Sequence, residues 1–153
     1  MTELISTDLD ADLTATDNEE VSTIAPEAVI DRDDPLFKMA WLVAEAADDR
    51  KGGDILLLQV GAVSSIAEYF VIVTGYSRVQ VRAITNAVDD KVKEVLGRDP
   101  IRSAGTAEGI WSCLDYGDVV VHIQMPDTRE FYGLEAFWGH SPRAVFEPEI
   151  PTD

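Results

Sequence analysis

The sequence predicts one α/β (α+β) domain, a mixed sheet flanked by helices, standing behind an acidic N-terminal tail. Three observations lead there. Short apolar runs of strand length are bounded by turn residues, segments with helical apolar spacing alternate with them, and the acids crowd toward one end. The chain has 153 residues, 29 of them Asp or Glu against 12 Lys or Arg, a formal net charge of -17 and 46% hydrophobic residues. That is enough for one domain with a real core.

The elements follow in order. Residues 1–33 hold no aromatic ring and only scattered aliphatics. The first thirty-four residues contain eleven acids against Arg32 alone. Such a stretch cannot bury enough apolar surface to offset the entropy of ordering, so a disordered acidic tail is expected over 1–33. The domain itself is expected over 34–140. Asp34 is placed to cap a helix with Pro35 at its first position, and Leu36, Met39, Ala40, Val43 and Ala47 recur at helical spacing up to Lys51-Gly52-Gly53. Two apolar runs follow, from Asp54 to Val60 and from Tyr69 to Thr74. Neither alternates, so both read as central strands covered on both faces.

Gly75-Tyr76-Ser77 then turns the chain into a long helix capped by Ser77, with Val81, Ile84, Val88, Val92 and Val95 as the buried stripe and Gly97 past its end. A loop covers Pro100 to Gly109, with a short strand at Ile101-Arg102-Ser103. Trp111–Asp115 and Asp118–Gln124 flank Tyr116-Gly117, a strand–turn–strand signal with glycine in the tight turn. The last helix is expected from Asp127-Thr128 through Phe131, Leu134, Glu135 and Trp138 to Gly139. Residues 141–153 read as a flexible C-terminal extension.

Composition excludes several classes. A surface negative on balance does not attract phosphate backbones, so little direct nucleic-acid contact is expected and a basic protein is the better partner. No apolar run approaches the roughly 20 residues of a membrane-spanning helix, and the N-terminus has neither a basic start nor an apolar signal segment. A cytoplasmic protein without membrane contact is the expectation. Cys113 is the single cysteine, which reads as a small buried strand thiol.

One combination of residues is specific. Ser64-Ser65-Ile66 with Tyr69-Phe-Val-Ile-Val-Thr-Gly75, then Trp111-Ser-Cys-Leu-Asp-Tyr-Gly-Asp-Val-Val-Val-His122, then Arg129-Glu-Phe-Tyr-Gly-Leu-Glu-Ala-Phe-Trp138 resembles the Iojap family of ribosomal silencing factors, from about Asp34 to Trp138. Glu68, Val79 and Ala104 depart from the family's usual residues. The resemblance implies a fold related to nucleotidyltransferases without their active site. It also implies docking on the large ribosomal subunit through ribosomal protein fourteen, which blocks the small subunit and represses translation. Two other readings stay open: a large-subunit assembly factor, and a nucleotide-binding or nucleotidyl-transferring enzyme on the same fold. A homodimer of the free protein also stays open.

The residues themselves argue for no enzyme. A nucleotidyltransferase needs carboxylates converging on magnesium to neutralise the transferring phosphates. Here the turn before Ser77 is followed by Arg78 and Arg82, with no Asp-x-Asp strand. No cofactor, metal or catalytic residue is assigned. Asp118 and His122 share a strand face, yet Asp115 and Asp118 bracket a turn, which makes a poor ligand set. The expected protein-binding residues are Trp111, Tyr116, Gly117, Asp118 and His122 on the hairpin, with Arg129 and Tyr132 secondary. Tyr116 is expected to expose its ring at the turn tip, and Trp111 and Trp138 are ordinarily core aromatics. Deleting residues 1–30 is expected to leave the thermal midpoint within about 5 °C of the full chain's, and a larger fall in a melting experiment would mean the tail is docked.

Overall fold

The computed structural model describes residues 30–148. The expected tail up to residue 29 and the last residues, 149–153, lie outside the described residues. Helix α1 (Pro35–Asp49) starts as its sequence dictates, with the Asp34 carboxylate accepting from the Leu36 N–H at 3.0 Å and Pro35 following. Strand β1 (Gly53–Leu58) leads through a 3-10 turn (Val60–Ala62) to β2 (Tyr69–Thr74). Helix α2 (Arg78–Leu96) then crosses the sheet. The Ser77 hydroxyl accepts from Gln80 N–H, the Gln80 side chain accepts from Tyr76 N–H, and Gly97 closes the far end in the left-handed region at φ 66°.

Strands β3 (Arg102–Ala104), β4 (Trp111–Asp115) and β5 (Val119–Gln124) follow, then α3 (Pro126–Tyr132), the single turn α4 (Leu134–Phe137) and β6 (Arg143–Val145). The six strands form one mixed sheet in the order β3-β4-β5-β2-β1-β6. Only β2 and β5 pair in parallel, in register from Tyr69 opposite Val119 to Thr74 opposite Gln124; every other pair is antiparallel.

The pleat sorts the strand side chains into two layers. Tyr69, Val71, Val73, Val119, Val121 and Ile123 face α1 and α2 and meet Val43, Ala47, Val81, Ile84 and Val88 in the larger core. Phe70, Ile72, Val120, Leu56 and Leu58 face the other way, into a smaller cluster covered by Leu134, Trp138 and Cys113. Both apolar runs are central strands as expected, and all six residues of β2 are buried.

Five expectations need correction. The tail does not run to residue 33: Ile30 packs on the larger core and the Arg32 guanidinium lies 5.1 Å from the centre of the Phe37 ring, so the deletion that tests the tail stops at residue 29. Residues from 141 are not all a flexible extension. Arg143–Val145 pair with β1 and Phe146 is buried against Trp41, because β1 would otherwise present an unpaired edge. Val95 is 52% exposed, and the buried stripe of the helix ends at Val92. The last helix breaks at Gly133 (φ 55°), a left-handed residue that turns the chain between α3 and α4.

The fifth correction concerns Tyr116, which is 1% exposed. Alternation along β4 sends Ser112 and Leu114 toward the helices, and the pattern carries one residue further into the turn, burying the ring in the larger core. Tyr116→Ala is therefore expected to cost about 3 to 5 kcal/mol, the range for emptying a buried aromatic site. A thermal midpoint within a few degrees of wild type would show that the ring is dispensable to the core.

Candidate functional site

The expected contact residues separate into three places. Trp111, His122 and Tyr132 come together at one end of the hairpin, where Trp111 lies opposite Gln124. Tyr116, Gly117 and Asp118 sit at the other end, about 16 Å away for a five-residue strand. Arg129 is buried beneath α3. The turn end is occupied by its own contacts. The Arg98 guanidinium donates to both Asp118 carboxylate oxygens and to the Tyr116 carbonyl, which ties the turn to the end of α2 and leaves the Asp118 charge paired. Gly117, at φ 92°, provides the turn that a side chain would strain.

The Trp111 end carries the feature that sequence reasoning missed. Seven rings touch in a row across the side of the sheet away from α1 and α2. Phe137 meets Trp138 (5.3 Å between ring centres), Trp138 meets Phe70 (5.7 Å), and Phe70 meets His122 (4.8 Å). His122 in turn meets Trp111 (6.0 Å), Trp111 meets Tyr132 (4.7 Å), and Tyr132 meets Phe131 (5.0 Å). The middle is buried, with Phe70 at 6% and His122 at 9% exposed, and the ends are open, with Phe131 at 80%, Phe137 at 77% and Tyr132 at 55%. Neighbouring contacts of this kind each add about 0.5 to 1.5 kcal/mol beyond burial, so the buried rings hold the exposed ones in place. A signal was present in the sequence: Phe131, Tyr132, Phe137 and Trp138 fall within eight residues. A single continuous helix would not have shown that α3 and α4 present them to one side.

Polar groups fix this row from below. The Trp111 indole N–H donates to His122 Nδ1 at 3.2 Å, which places the imidazole proton on Nε2. The Arg129 guanidinium donates to the Thr74 hydroxyl (2.8 Å) and to both carboxylate oxygens of Glu135 (3.2 Å), joining β2, α3 and α4 at one point. Arg129 is thus a positioning group rather than an exposed contact. Among the described residues, no three His, Cys, Asp or Glu side chains converge as a metal site requires.

Burial pushes the His122 imidazole down to about 4 from its ordinary 6.5, against a small upward pull from Asp115. The folded state keeps the ring neutral while the unfolded chain takes up a proton below pH 6.5, so this stability is intact above 6.5 and is lost as pH falls toward 4. Between pH 7.5 and 5 the loss is expected to reach about 2 kcal/mol in denaturant titrations. His122→Gln lacks this component, and an equal loss in that variant would assign the acid sensitivity to other groups.

Comparison with known proteins places this surface in context. The sequence model of the family described as "ribosomal silencing factor during starvation" matches residues 34–153. A ribosomal silencing factor of Chromobacterium violaceum is 42% identical over 102 residues, covering 67% of this chain and 83% of that protein. The chloroplastic Iojap protein of Arabidopsis thaliana is 34% identical over 117 residues, covering 76% of this chain and 48% of that protein. A crystal structure of a Chromobacterium violaceum protein superimposes with a TM-score of 0.64 at 36% identity, covering 76% of this chain and 92% of that one. With a family match spanning the whole described domain, and a relative and a solved structure that agree in sequence and fold, the chain belongs to the ribosomal silencing factor family.

Proposed function

We propose that this domain docks on the large ribosomal subunit through ribosomal protein fourteen, with the row of aromatic rings as its contact surface, and so keeps the small subunit from joining. The observation that carries this reading is the exposure of Phe131, Tyr132 and Phe137 on a rigid support. Large exposed apolar rings gathered on one face cost solubility unless a partner covers them, and aromatic side chains are the residues that interfaces concentrate. An interface of about 800 Å² per partner suffices for stable docking. The net charge of -17 suits a basic ribosomal protein, favouring encounter rate and orientation more than affinity.

The role is regulatory and cytoplasmic in this reading. Blocking a joining surface is steric, so no bond has to be made or broken. The test is sedimentation of the full chain with purified mature large subunits, with and without added small subunits. Co-sedimentation with large subunits and a reduced yield of joined ribosomes is the expected result. Unchanged joining at molar excess would overturn the proposal, and binding only to immature particles would assign the protein to large-subunit assembly instead.

The surface makes a sharper prediction. Phe131→Ala and Phe137→Ala are each expected to weaken binding by about 1 to 3 kcal/mol, roughly five- to a hundred-fold, while changing folding stability by no more than about 0.5 kcal/mol. Wild-type affinity in both variants would move the contact surface elsewhere.

A further inference from the structure

Helix α1 carries a second apolar stripe that the sheet does not cover. Val43, Ala44 and Ala47 are buried in the larger core, whereas Trp41 and Leu42 stay half-buried on the outer side. Lys38 and Glu45 stand before and after them at helical spacing, so the four side chains share one face. Together with Arg32 and Phe37 they line a groove of about 320 Å³. It lies on the α1 side of the sheet, away from the ring row.

The end of the groove where α1 begins is basic. The Arg32 guanidinium rests over the Phe37 and Trp41 rings, 5.1 and 5.9 Å from their centres, and the exposed Lys38 lines the same groove. Among the described residues, neither cation has a salt-bridge partner. Glu45, the one carboxylate of the groove, lies about two turns further along the helix.

Where the chain enters the fold indicates what covers this groove. Ile30 packs on the core cluster to which Phe37 belongs, and it stands two residues before Arg32, so the chain preceding it starts at the basic end. Residues 1–29 hold eight acids and no Lys or Arg, a charge opposite to that of the two unpaired cations. The stretch next to Ile30 is Ile24-Ala-Pro-Glu-Ala-Val29, apolar except for Glu27. Six extended residues span about 20 Å, and the groove runs about 12 Å along α1 from Phe37 to Glu45, so this stretch reaches all of it. Pro26 also holds Ala25 in extended backbone, which lowers the entropy lost on laying the segment along a helix. The other end of the chain is less suited. Phe146, Glu147 and Pro148 lie in a separate depression bordered by Asp48 and Asp49 against Lys91 alone, and the residues that follow bring two more acids, Glu149 and Asp153.

We propose that residues 24–29 fold back along α1 and fill this groove, with the Ile24 side chain on Trp41 and Leu42 and the Glu27 carboxylate between Arg32 and Lys38. The occupant is then the chain's own acidic N-terminal segment. Its remaining acids are drawn to the face opposite the rings, which leaves the ring row open. One exposed charge cluster and one aliphatic contact are compatible with the small change in thermal midpoint expected on deleting the tail, so a local probe is needed.

The probe is the nuclear Overhauser effect between isoleucine δ1-methyl groups and tryptophan rings in the otherwise deuterated full chain. A cross-peak from Ile24, assigned by its disappearance in Ile24→Leu, to the Trp41 ring is expected at high dilution. Its absence overturns the proposal. A cross-peak seen only between differently labelled chains would give the groove to a second copy, and one from Ile150 would give it to the C-terminal residues; either result overturns the proposal as well. Lys38→Glu leaves a good helix former in the first turn of α1, where a carboxylate suits the helix dipole, so the fold should be kept. The variant should weaken the Ile24–Trp41 cross-peak about two- to five-fold, the range for losing an exposed ion pair. An unchanged intensity would overturn the pairing with Glu27 and the placement that depends on it.

Discussion

The parallel pairing of β2 with β5 is the constraint on which the rest of the structure depends. Parallel strands are stable when both faces are covered, and every residue of both strands is buried. The chain cannot satisfy that requirement with a hairpin, because a parallel return needs a long crossover. Helix α2 begins that crossover, which returns through β3 and β4, and together with α1 it seals one face with Val43, Val81, Ile84, Val88 and Val92. The opposite face receives less. Among the described residues, the helices that reach it are the seven residues of α3 and the four of α4, which carry few aliphatics, with Val60 and Ala67 added from the segment between β1 and β2.

That imbalance explains the aromatic row. Where a long helix would have covered Phe70 and Ile72, two short segments cover them with rings, and rings reach further than the backbone that bears them. Phe70, His122 and Trp138 complete the core. Trp111 continues outward, and Phe131, Tyr132 and Phe137 extend past the protein's edge into solvent. The exposed aromatic face is therefore the unfinished side of the protein's own core, and its inner members are structural.

Arg129 joins the elements of that side. Its guanidinium ties Thr74 on β2 to Glu135 on α4 across the Gly133 break, so the position of α4 is set by one group. A buried charge is costly unless it is paired and hydrogen-bonded, and here both conditions are met. The opposite end of the hairpin is closed in the same manner by Arg98, which holds Asp118 and the Tyr116 carbonyl, so the turn is a fastening point for the fold.

Much of this was determined by the sequence alone. Local rules act within a few residues, and they were sufficient for the Asp34 and Ser77 caps, the Gly97 stop, the two central strands and the turn at Gly117, because each depends on neighbours in the chain. The motif combination from Ser64 to Trp138 carried the family. What the tertiary structure decided was which side chains face solvent. Tyr116 has the sequence context of an exposed turn residue, yet alternation from β4 and the helices packed over it bury the ring. Phe131 has the look of a core residue in a long helix, yet the break at Gly133 and the register of α3 leave it in water. Arg143–Val145 became a strand only because β1 had an edge to pair. Exposure is a property of what lies opposite a residue in space, and for these side chains the opposing element comes from a distant part of the chain.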